Sequence, residues 1–403
     1  MSLLRDCDFR LLWVGQAISE TGSRVSREGI PLTAAMMLSA TPMQMGFLAG
    51  VSGIATLLAA TGAGLLADRT KRRPLMIAAD LGRAAALLTI PIAAWQGWLS
   101  ISLLIPVAAV HGLLTVFFDV AYQTWIPTFV PKHQLLEANS KLMAAASTAE
   151  VIGPGLTGVL VQWLTAPIAI LVDSFSFLVS AVAVASIHKK EETIAVSTEA
   201  FSWKQALAGF SVVATHPILR AFALRSASIN LVGGIFVGLY VLYAIKILGL
   251  TPVQLGIAVA AGGVSNLTGA LLAEKLAKFI PVGKLLIGVT VWSGFVLLLL
   301  PMAVLPFPGG FWCLFLGQLL GDAAFSIYAI HETTIRQQMA PPETLGRVNA
   351  AMQLVLKGGW PIGAMIGGFL AGYISVPQVL FISALGVMGS ALFLLFSPVR
   401  NLR

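Results

Sequence analysis

Long runs of apolar residues, separated by short polar stretches, fill the chain from residue 9 to residue 397. A transmembrane helix needs about 20 consecutive apolar residues to cross roughly 30 Å of hydrocarbon. The pattern therefore predicts an all-α membrane protein with twelve transmembrane helices. The predicted spans are 9–38, 44–66, 75–95, 100–129, 136–163, 167–187, 221–246, 253–273, 284–304, 310–336, 345–371 and 377–397.

Composition supports a lipid environment. The 403 residues are 57% hydrophobic and only 10% charged, and the mean hydropathy is +0.89. A water-soluble domain carries charge on about a quarter of its residues. The lipid bilayer is therefore the expected surroundings of the chain.

Lysine and arginine are concentrated in alternate connections between the spans. The connections at 67–74 and 188–204 are basic, whereas those at 39–43 and 164–167 contain no lysine or arginine. Basic loops remain on the cytoplasmic side, so both termini are predicted to be cytoplasmic. The net charge of +8 follows from this topology, and nucleic acid is not an expected partner.

The two halves of the chain repeat each other. The stretch TPMQMG at 41–46 recurs as TPVQLG at 251–256, 210 residues later, and PKHQLLEAN at 131–139 recurs as PPETLGRVN at 341–349 with the same offset. Two parallel six-helix halves are typical of a large class of secondary transporters. The predicted units are an N-terminal six-helix bundle (1–187), a cytoplasmic linker (188–220) and a pseudo-symmetric C-terminal six-helix bundle (221–403).

Two motifs suggest a family. GLLADRTKRRP at 64–74 resembles the loop signature of the major facilitator superfamily, and EVIGPGLTGVL at 150–160 resembles the Gly-Pro signature of its antiporters. From about residue 9 to about 372, the chain resembles the twelve-helix drug:proton antiporter branch that includes macrolide-efflux proteins and the enterobactin exporter. The matching residues are Gly64, Asp68, Arg69, Arg72 and Arg73 in the loop, and Gly153, Pro154 and Gly158 in the fifth span.

This resemblance implies a transporter. We expect export of a small amphipathic organic compound, such as a drug, antibiotic or secondary metabolite, by alternating access and in exchange for protons. The expected setting is a bacterial cytoplasmic membrane, crossed many times by a monomer without a cofactor. Import or exchange of a lipid, siderophore or metabolite is the alternative within this class. An intramembrane enzyme, using His111 or His331 with a serine, and a non-transporting sensor are alternatives of other classes.

Four charges interrupt the first span. Glu20, Arg24 and Glu28 are spaced four residues apart and share a helix face, with Arg27 beside them. An unpaired charge at mid-span costs about 2.5–3.5 kcal/mol on insertion scales. We therefore expect these side chains to face a cavity, with Arg24 paired to Glu28. A static pairing without a role in transport is the other interpretation.

Further polar residues lie deep in other spans and are functional-site candidates by default. Asp119 and Glu150 are the first candidates for proton coupling, because neither has a basic residue within four positions; Glu20 follows. Further candidates for the cavity are Arg225, Asn230, Asp322 and Lys357, and Asp173 is a reserve candidate for the proton.

The loop signature predicts a cytoplasmic gate. Asp68 is expected to meet the start of the eleventh helix near Arg347, because the free amides of a helix N-terminus attract an anion. Glu274 is its counterpart in the repeat and is expected at the start of the fifth helix. Asp80 and Arg83, three residues apart, form a predicted structural pair behind this loop. His331 and Glu332 are adjacent and point to different helix faces, so no metal site is expected.

Overall fold

The computed structural model describes residues 3–189, 210–305, 309–339 and 345–402, without the side chains of 60–69, 129, 132, 345 and 346. Twelve long helices cover these residues, one for each predicted span. The all-α fold class is confirmed. The helices are α1 (Cys7–Met36), α2 (Pro42–Arg69), α3 (Arg72–Gln96), α4 (Ile101–Phe129), α5 (Leu135–Trp163), α6 (Ala166–Ala185), α7 (Pro217–Leu242), α8 (Pro252–Phe279), α9 (Val282–Leu297), α10 (Gly310–Met339), α11 (Leu345–Leu370) and α12 (Val376–Gly389).

Short segments extend several of these helices. A π-helical turn, Tyr243–Ile247, prolongs α7, while Leu299–Met302 and Ala391–Leu395 continue α9 and α12. Within the described residues, ten helices are both long and apolar enough to cross a membrane. The two others are α1, which carries the four charges, and α11, which carries Lys357 and several glycines.

The contacts divide the chain into two compact units. Unit 1 comprises 1–40, 51–201 and 251–256, and unit 2 comprises 41–50, 202–250 and 257–403. The first residues of α2 therefore belong to unit 2, and those of α8 to unit 1. The division into bundles at 1–187 and 221–403 with a linker at 188–220 stays a prediction, and residues 190–209 of that linker lie outside the described residues.

Inside unit 1, α1 packs against α5 and α6, and α3 packs against α4 and α6. Its apolar core surrounds Trp125, Phe9 and Met76, which are fully buried. Inside unit 2, α7 packs against α11, and α9 packs against α10 and α12. Its largest core surrounds Phe222 and Leu286, also fully buried.

The sequence repeat reappears as a pair of matching contacts, one in each unit. In unit 2, a side chain at Gly368 would meet the Pro42 carbonyl oxygen at 2.7 Å; in unit 1, one at Gly158 would meet the Pro252 carbonyl oxygen at 2.5 Å. The two glycines and the two prolines are each 210 residues apart. Only glycine permits this close backbone approach. The TP motifs therefore mark helix starts that dock on α11 and α5.

Candidate functional site

The charged face of α1 meets α5. Arg24 Nη1 lies 3.5 Å from Glu150 Oε1, and the two side chains retain 20% and 47% of their exposure. The pair joins two helices near the middle of their lengths and remains open on one side. A charged pair in this position can exchange its partners for a proton or a polar ligand.

The Gly-Pro signature shapes this pair. A side chain at Gly153 would clash with the Arg24 Cβ atom, so glycine lets Arg24 lie along α5. Pro154 has no N–H, so the carbonyl of Glu150, four residues earlier, lacks its helical donor. The carbonyl oxygen of Pro154 also borders Gly256 at the start of α8. The signature thus places a weakened helix turn directly after Glu150.

Glu20 belongs to the same polar region. It lies on α1, one turn before Arg24, and both Glu20 and Asp119 act electrostatically on the Tyr122 hydroxyl of α4. Tyr122 stacks on Phe118 with ring centroids 5.9 Å apart. Asp119 is exposed. The three proton-coupling candidates therefore lie on α1, α4 and α5 of unit 1, and two of them, Glu20 and Asp119, act on the same tyrosine.

Two expectations about these charges are wrong. The described residues show no ion pair within 4.0 Å between Glu28 and either arginine, and the partner of Arg24 is Glu150. Glu150 therefore lies beside a cation, although no basic residue occurs within four positions of it in the sequence. The reason is tertiary: the partner comes from a helix 126 residues away. Arg27 is exposed, and Glu28 is half-buried on the same helix.

The predicted gate is only partly described. The side chains of Gly64, Asp68 and Arg69 lie outside the described residues, so the engagement of Asp68 with α11 stays a prediction. Arg73 donates from Nε to the Val184 carbonyl oxygen (3.1 Å) and from Nη2 to that of Ala185. A cation at the last carbonyls of α6 is favourable because the helix C-terminus is negative. Arg72 is buried.

The other gate residues are on the surface of unit 2. Glu274 accepts from Lys278 on its own helix at 2.9 Å, and both side chains are exposed. Arg347 is exposed near the start of α11 and has a partner. The meeting of Glu274 with the start of α5 also stays a prediction.

The cavity candidates of unit 2 have different surroundings. Arg225 is buried, with its guanidinium carbon 3.4 Å from the Tyr328 ring centroid and Nη2 donating to Thr290 at 3.3 Å. Asn230 donates to the Ser226 carbonyl oxygen at 2.8 Å within α7. Asp322 is half-buried close to Gly262, and Lys357 is exposed. Arg225 therefore belongs to a buried cluster rather than to an accessible face.

That cluster contains a pair that sequence reasoning missed. Glu332 and Arg336 of α10 are both buried, and Arg336 Nη1 donates to Glu332 Oε1 at 3.1 Å. Their spacing of four residues on one helix is sufficient to predict this ion pair. His331 Nε2 lies 3.0 Å from the Ala273 carbonyl oxygen, and no group of three potential metal ligands occurs among the described residues.

A second buried cluster lies in unit 1. The predicted pair of Asp80 and Arg83 is confirmed, and both side chains are buried. The Arg83 guanidinium carbon is 4.4 Å from the Phe118 ring centroid and 4.1 Å from that of Phe177. Asp173, also buried, accepts from the Ser176 hydroxyl at 2.8 Å. This cluster lies behind the accessible polar face rather than on it.

Comparison with known proteins identifies the family. A family model described as "transmembrane secretion effector" matches residues 1–403. The chain belongs to this family, within the major facilitator superfamily. Its members are transporters, not enzymes.

Curated relatives are similar over most of their length. An uncharacterized transporter of Sinorhizobium fredii is 26% identical and covers 87% of this chain and 86% of its own. Macrolide efflux protein A of Streptococcus pyogenes is 24% identical (91% and 90%). The enterobactin exporter EntS of Citrobacter koseri is 24% identical (98% and 93%).

Solved structures support the same fold. The nucleoside transporter NupG aligns with a TM-score of 0.77 at 12% identity, over 96% of this chain and 98% of its own. A bacterial homologue of the iron transporter ferroportin aligns with a TM-score of 0.75 at 17% identity (98% and 99%). The protein is a multi-pass secondary transporter of the major facilitator fold.

Proposed function

We propose that this transporter exports a small amphipathic organic compound across a bacterial cytoplasmic membrane in exchange for protons. It works as a monomer with both termini in the cytoplasm. The macrolide and enterobactin in the names of two relatives are both medium-sized organic molecules. A cargo of this class, removed from the cell as a drug, antibiotic or secondary metabolite, is consistent with those relatives.

The observation that supports the proposal best is the Arg24–Glu150 pair. At 3.5 Å and partly open, it can be broken by a proton on Glu150, which leaves Arg24 without its partner. Loss of the proton restores the attraction between α1 and α5. Proton binding at Glu150 thus alternates two arrangements of the same face, as antiport requires.

The energy available matches such a step. A membrane potential of ~100 mV supplies ~2.3 kcal/mol per proton, and each pH unit adds about 1.4 kcal/mol. A partly exposed ion pair contributes about 0–1 kcal/mol. One proton can therefore break this pair and still drive cargo uphill. Pro154, one turn after Glu150, provides a point at which α5 bends with the change.

Glu20 and Asp119 are proposed to assist. Both act electrostatically on the Tyr122 hydroxyl, so a proton on either carboxyl changes the electrostatic environment of the same tyrosine. In this scheme Arg24 chooses between Glu150 and an anionic or carbonyl group of the cargo. The cargo then competes with the proton for one polar face.

The test uses purified protein in proteoliposomes with an imposed pH gradient. The probes are a macrolide, a catecholate siderophore and the lipophilic cation ethidium. We expect Glu150→Gln to abolish gradient-driven movement of whichever probe the parent moves, while downhill exchange continues. The matched control is Glu137→Gln, which removes a carboxylate on the same helix that pairs with Lys141 at 3.6 Å; it should keep gradient-driven transport.

Two results would overturn the proposal. Full gradient-driven transport by Glu150→Gln would remove the coupling role of the pair. Movement of the probes only into the cytoplasmic side, or no movement of any probe by the parent protein, would contradict export of this cargo class.

A further inference from the structure

A sealed group of charges lies inside unit 1, apart from the Arg24–Glu150 pair. Its members are Asp80 and Arg83 of α3 and Asp173 of α6, hereafter the buried triad. Asp80 and Asp173 are 0% exposed and Arg83 is 3% exposed. Their burial is as deep as that of the surrounding leucine and phenylalanine side chains.

The triad is held firmly between helices. Arg83 donates from Nη2 to Asp80 Oδ1, and its guanidinium lies between the rings of Phe118 on α4 and Phe177 on α6. The Ser174 hydroxyl donates to the Ala84 carbonyl oxygen at 2.8 Å and joins α6 to α3. On the other side, Gly22 of α1 is so close that a side chain there would clash with Ser176 and Asp173.

The charges of the triad do not balance. Two carboxylates face one guanidinium, and each carboxyl has an oxygen, Oδ2, that is buried without a hydrogen-bond partner. Moving an unpaired ionised carboxylate out of water costs several kcal/mol, and such a group takes up a proton instead.

Among the side chains that the structure describes, the neighbouring helices supply no second cation. Asp80 and Arg83 are the charged side chains that act on Asp173. From α1, the buried neighbours Gln16, Ser19 and Ser26 are uncharged. From α4, His111 stacks against Phe177 with centroids 5.7 Å apart, and its Nε2 is buried without a partner. A charged imidazole would leave an N–H donor unpaired beside Arg83, so a proton on His111 is disfavoured.

We infer that the buried triad is a proton-binding site that holds one proton, carried by Asp173. Asp80 is bonded to Arg83 and remains ionised, because a cation in contact favours the charged carboxylate. Asp173 accepts from the Ser176 hydroxyl and has no cation in contact among the described side chains, so it is the neutral member. The site is separate from the proposed coupling carboxylates and does not depend on the proposed function.

The count of protons can be measured directly. Infrared difference spectroscopy of the full-length protein in D₂O separates the carbonyl stretch of a protonated carboxyl from the bands of carboxylates. At pH 7 the parent should show such a band from a buried acid. Asp173→Asn and Asp80→Asn should each abolish it, because either change leaves one acid and one base. Arg83→Gln should increase its area about twofold, because two buried acids then lack a cation.

A matched control is Glu274→Gln, which removes an exposed carboxylate of unit 2 and should leave the band unchanged. His111→Gln should leave it unchanged as well. Absence of the band in the parent, or its persistence in both aspartate variants, would overturn the inference. Gel filtration of each variant establishes folding, and the gain in Arg83→Gln provides a second readout if one aspartate variant fails to fold.

Discussion

Each unit of this transporter contains a buried cluster of three charged side chains, and the two clusters have opposite charge imbalance. Unit 1 buries two acids and one base in the triad, whereas unit 2 buries Arg225 and Arg336 with Glu332 alone. A carboxyl can neutralise itself by taking up a proton, but a guanidinium cannot lose one inside a protein. The surplus in unit 2 must therefore be met by fixed groups.

The fixed groups of unit 2 are visible in the structure. Arg336 is bonded to Glu332, and Arg225 lies over the Tyr328 ring with Thr290 as its hydrogen-bond acceptor. An aromatic face stabilises a desolvated cation by about 2 kcal/mol. The comparison indicates that the surplus charge of the unit 1 cluster can be neutralised by a proton on a carboxyl, whereas the surplus cation of the unit 2 cluster is stabilised by fixed groups.

The largest expected effect tests Glu332, the acid of the buried cluster in unit 2. Glu332→Gln leaves two buried guanidiniums without a carboxylate, and we expect a loss of about 3–5 kcal/mol in the free energy of unfolding. A thiol-reactive dye can follow unfolding in detergent: in a Cys7→Ser background, buried Cys313 of α10 is the remaining cysteine. Stability equal to the parent would mean that Arg225 and Arg336 need no counter-charge.

The next effect tests the aromatic compensation. Tyr328→Leu removes the ring below Arg225, and we expect it to be about 2 kcal/mol less stable than Tyr328→Phe, which keeps the ring and its edge contact with Phe222. The same dye measurement compares the two variants. If both variants lose the same stability, the hydroxyl of Tyr328 rather than its ring is what stabilises the Arg225 guanidinium.

The third expected effect is a small change in stability. Asn is nearly isosteric with a neutral Asp, so Asp173→Asn should change the unfolding free energy by about 1 kcal/mol or less, in contrast to Glu332→Gln. Thermal unfolding followed by tryptophan fluorescence measures it. A loss as large as that of Glu332→Gln would make the two clusters equivalent and remove the distinction between the units.

Sequence reasoning predicted the helices well and the charge partners poorly. Twelve helices follow from the length of apolar runs, and the Asp80–Arg83 pair follows from helical spacing. The Arg24–Glu150 and Asp173–Arg83 neighbourhoods join residues 126 and 90 positions apart, which no local spacing reveals. Glu150 has no basic residue within four positions of its own helix, so helical spacing alone does not predict its partner Arg24 on α1.

Some glycines mark long-range contacts that their sequence motifs do not reveal. The motif identifies Gly153, but the structural reason for a glycine at this position is the Arg24 side chain, which passes close to it. The 210-residue repeat paired the prolines at 42 and 252 correctly, and their contacts with Gly368 and Gly158 repeat with the same offset. Burial, by contrast, cannot be predicted from the identity of a charged residue: Asp173 is sealed, whereas Asp119 is exposed.

The smallest expected effect comes from a charged pair outside the membrane spans, which serves as a partly exposed reference for the buried pairs. Lys189 Nζ donates to Asp6 Oδ2 at 2.7 Å before the start of α1. Burial alone would raise the pKa of Asp6, but Lys189 and the amides of Phe9 and Asp8 outweigh it and hold that pKa below its ordinary value.

A lowered pKa of Asp6 in the folded state adds stability at pH values above the unfolded pKa of about 3.9, and this stability is lost as the pH falls through the folded pKa. The pair is about one-third exposed, so screening limits it to about 0–1 kcal/mol. Asp6→Asn should therefore cost a few tenths of a kcal/mol at pH 7 and progressively less as the pH falls through the lowered pKa of Asp6, measured by thermal unfolding at pH 7 and in acid. A loss at pH 7 as large as that of Glu332→Gln would show that burial is not what makes the removal of a charged partner costly.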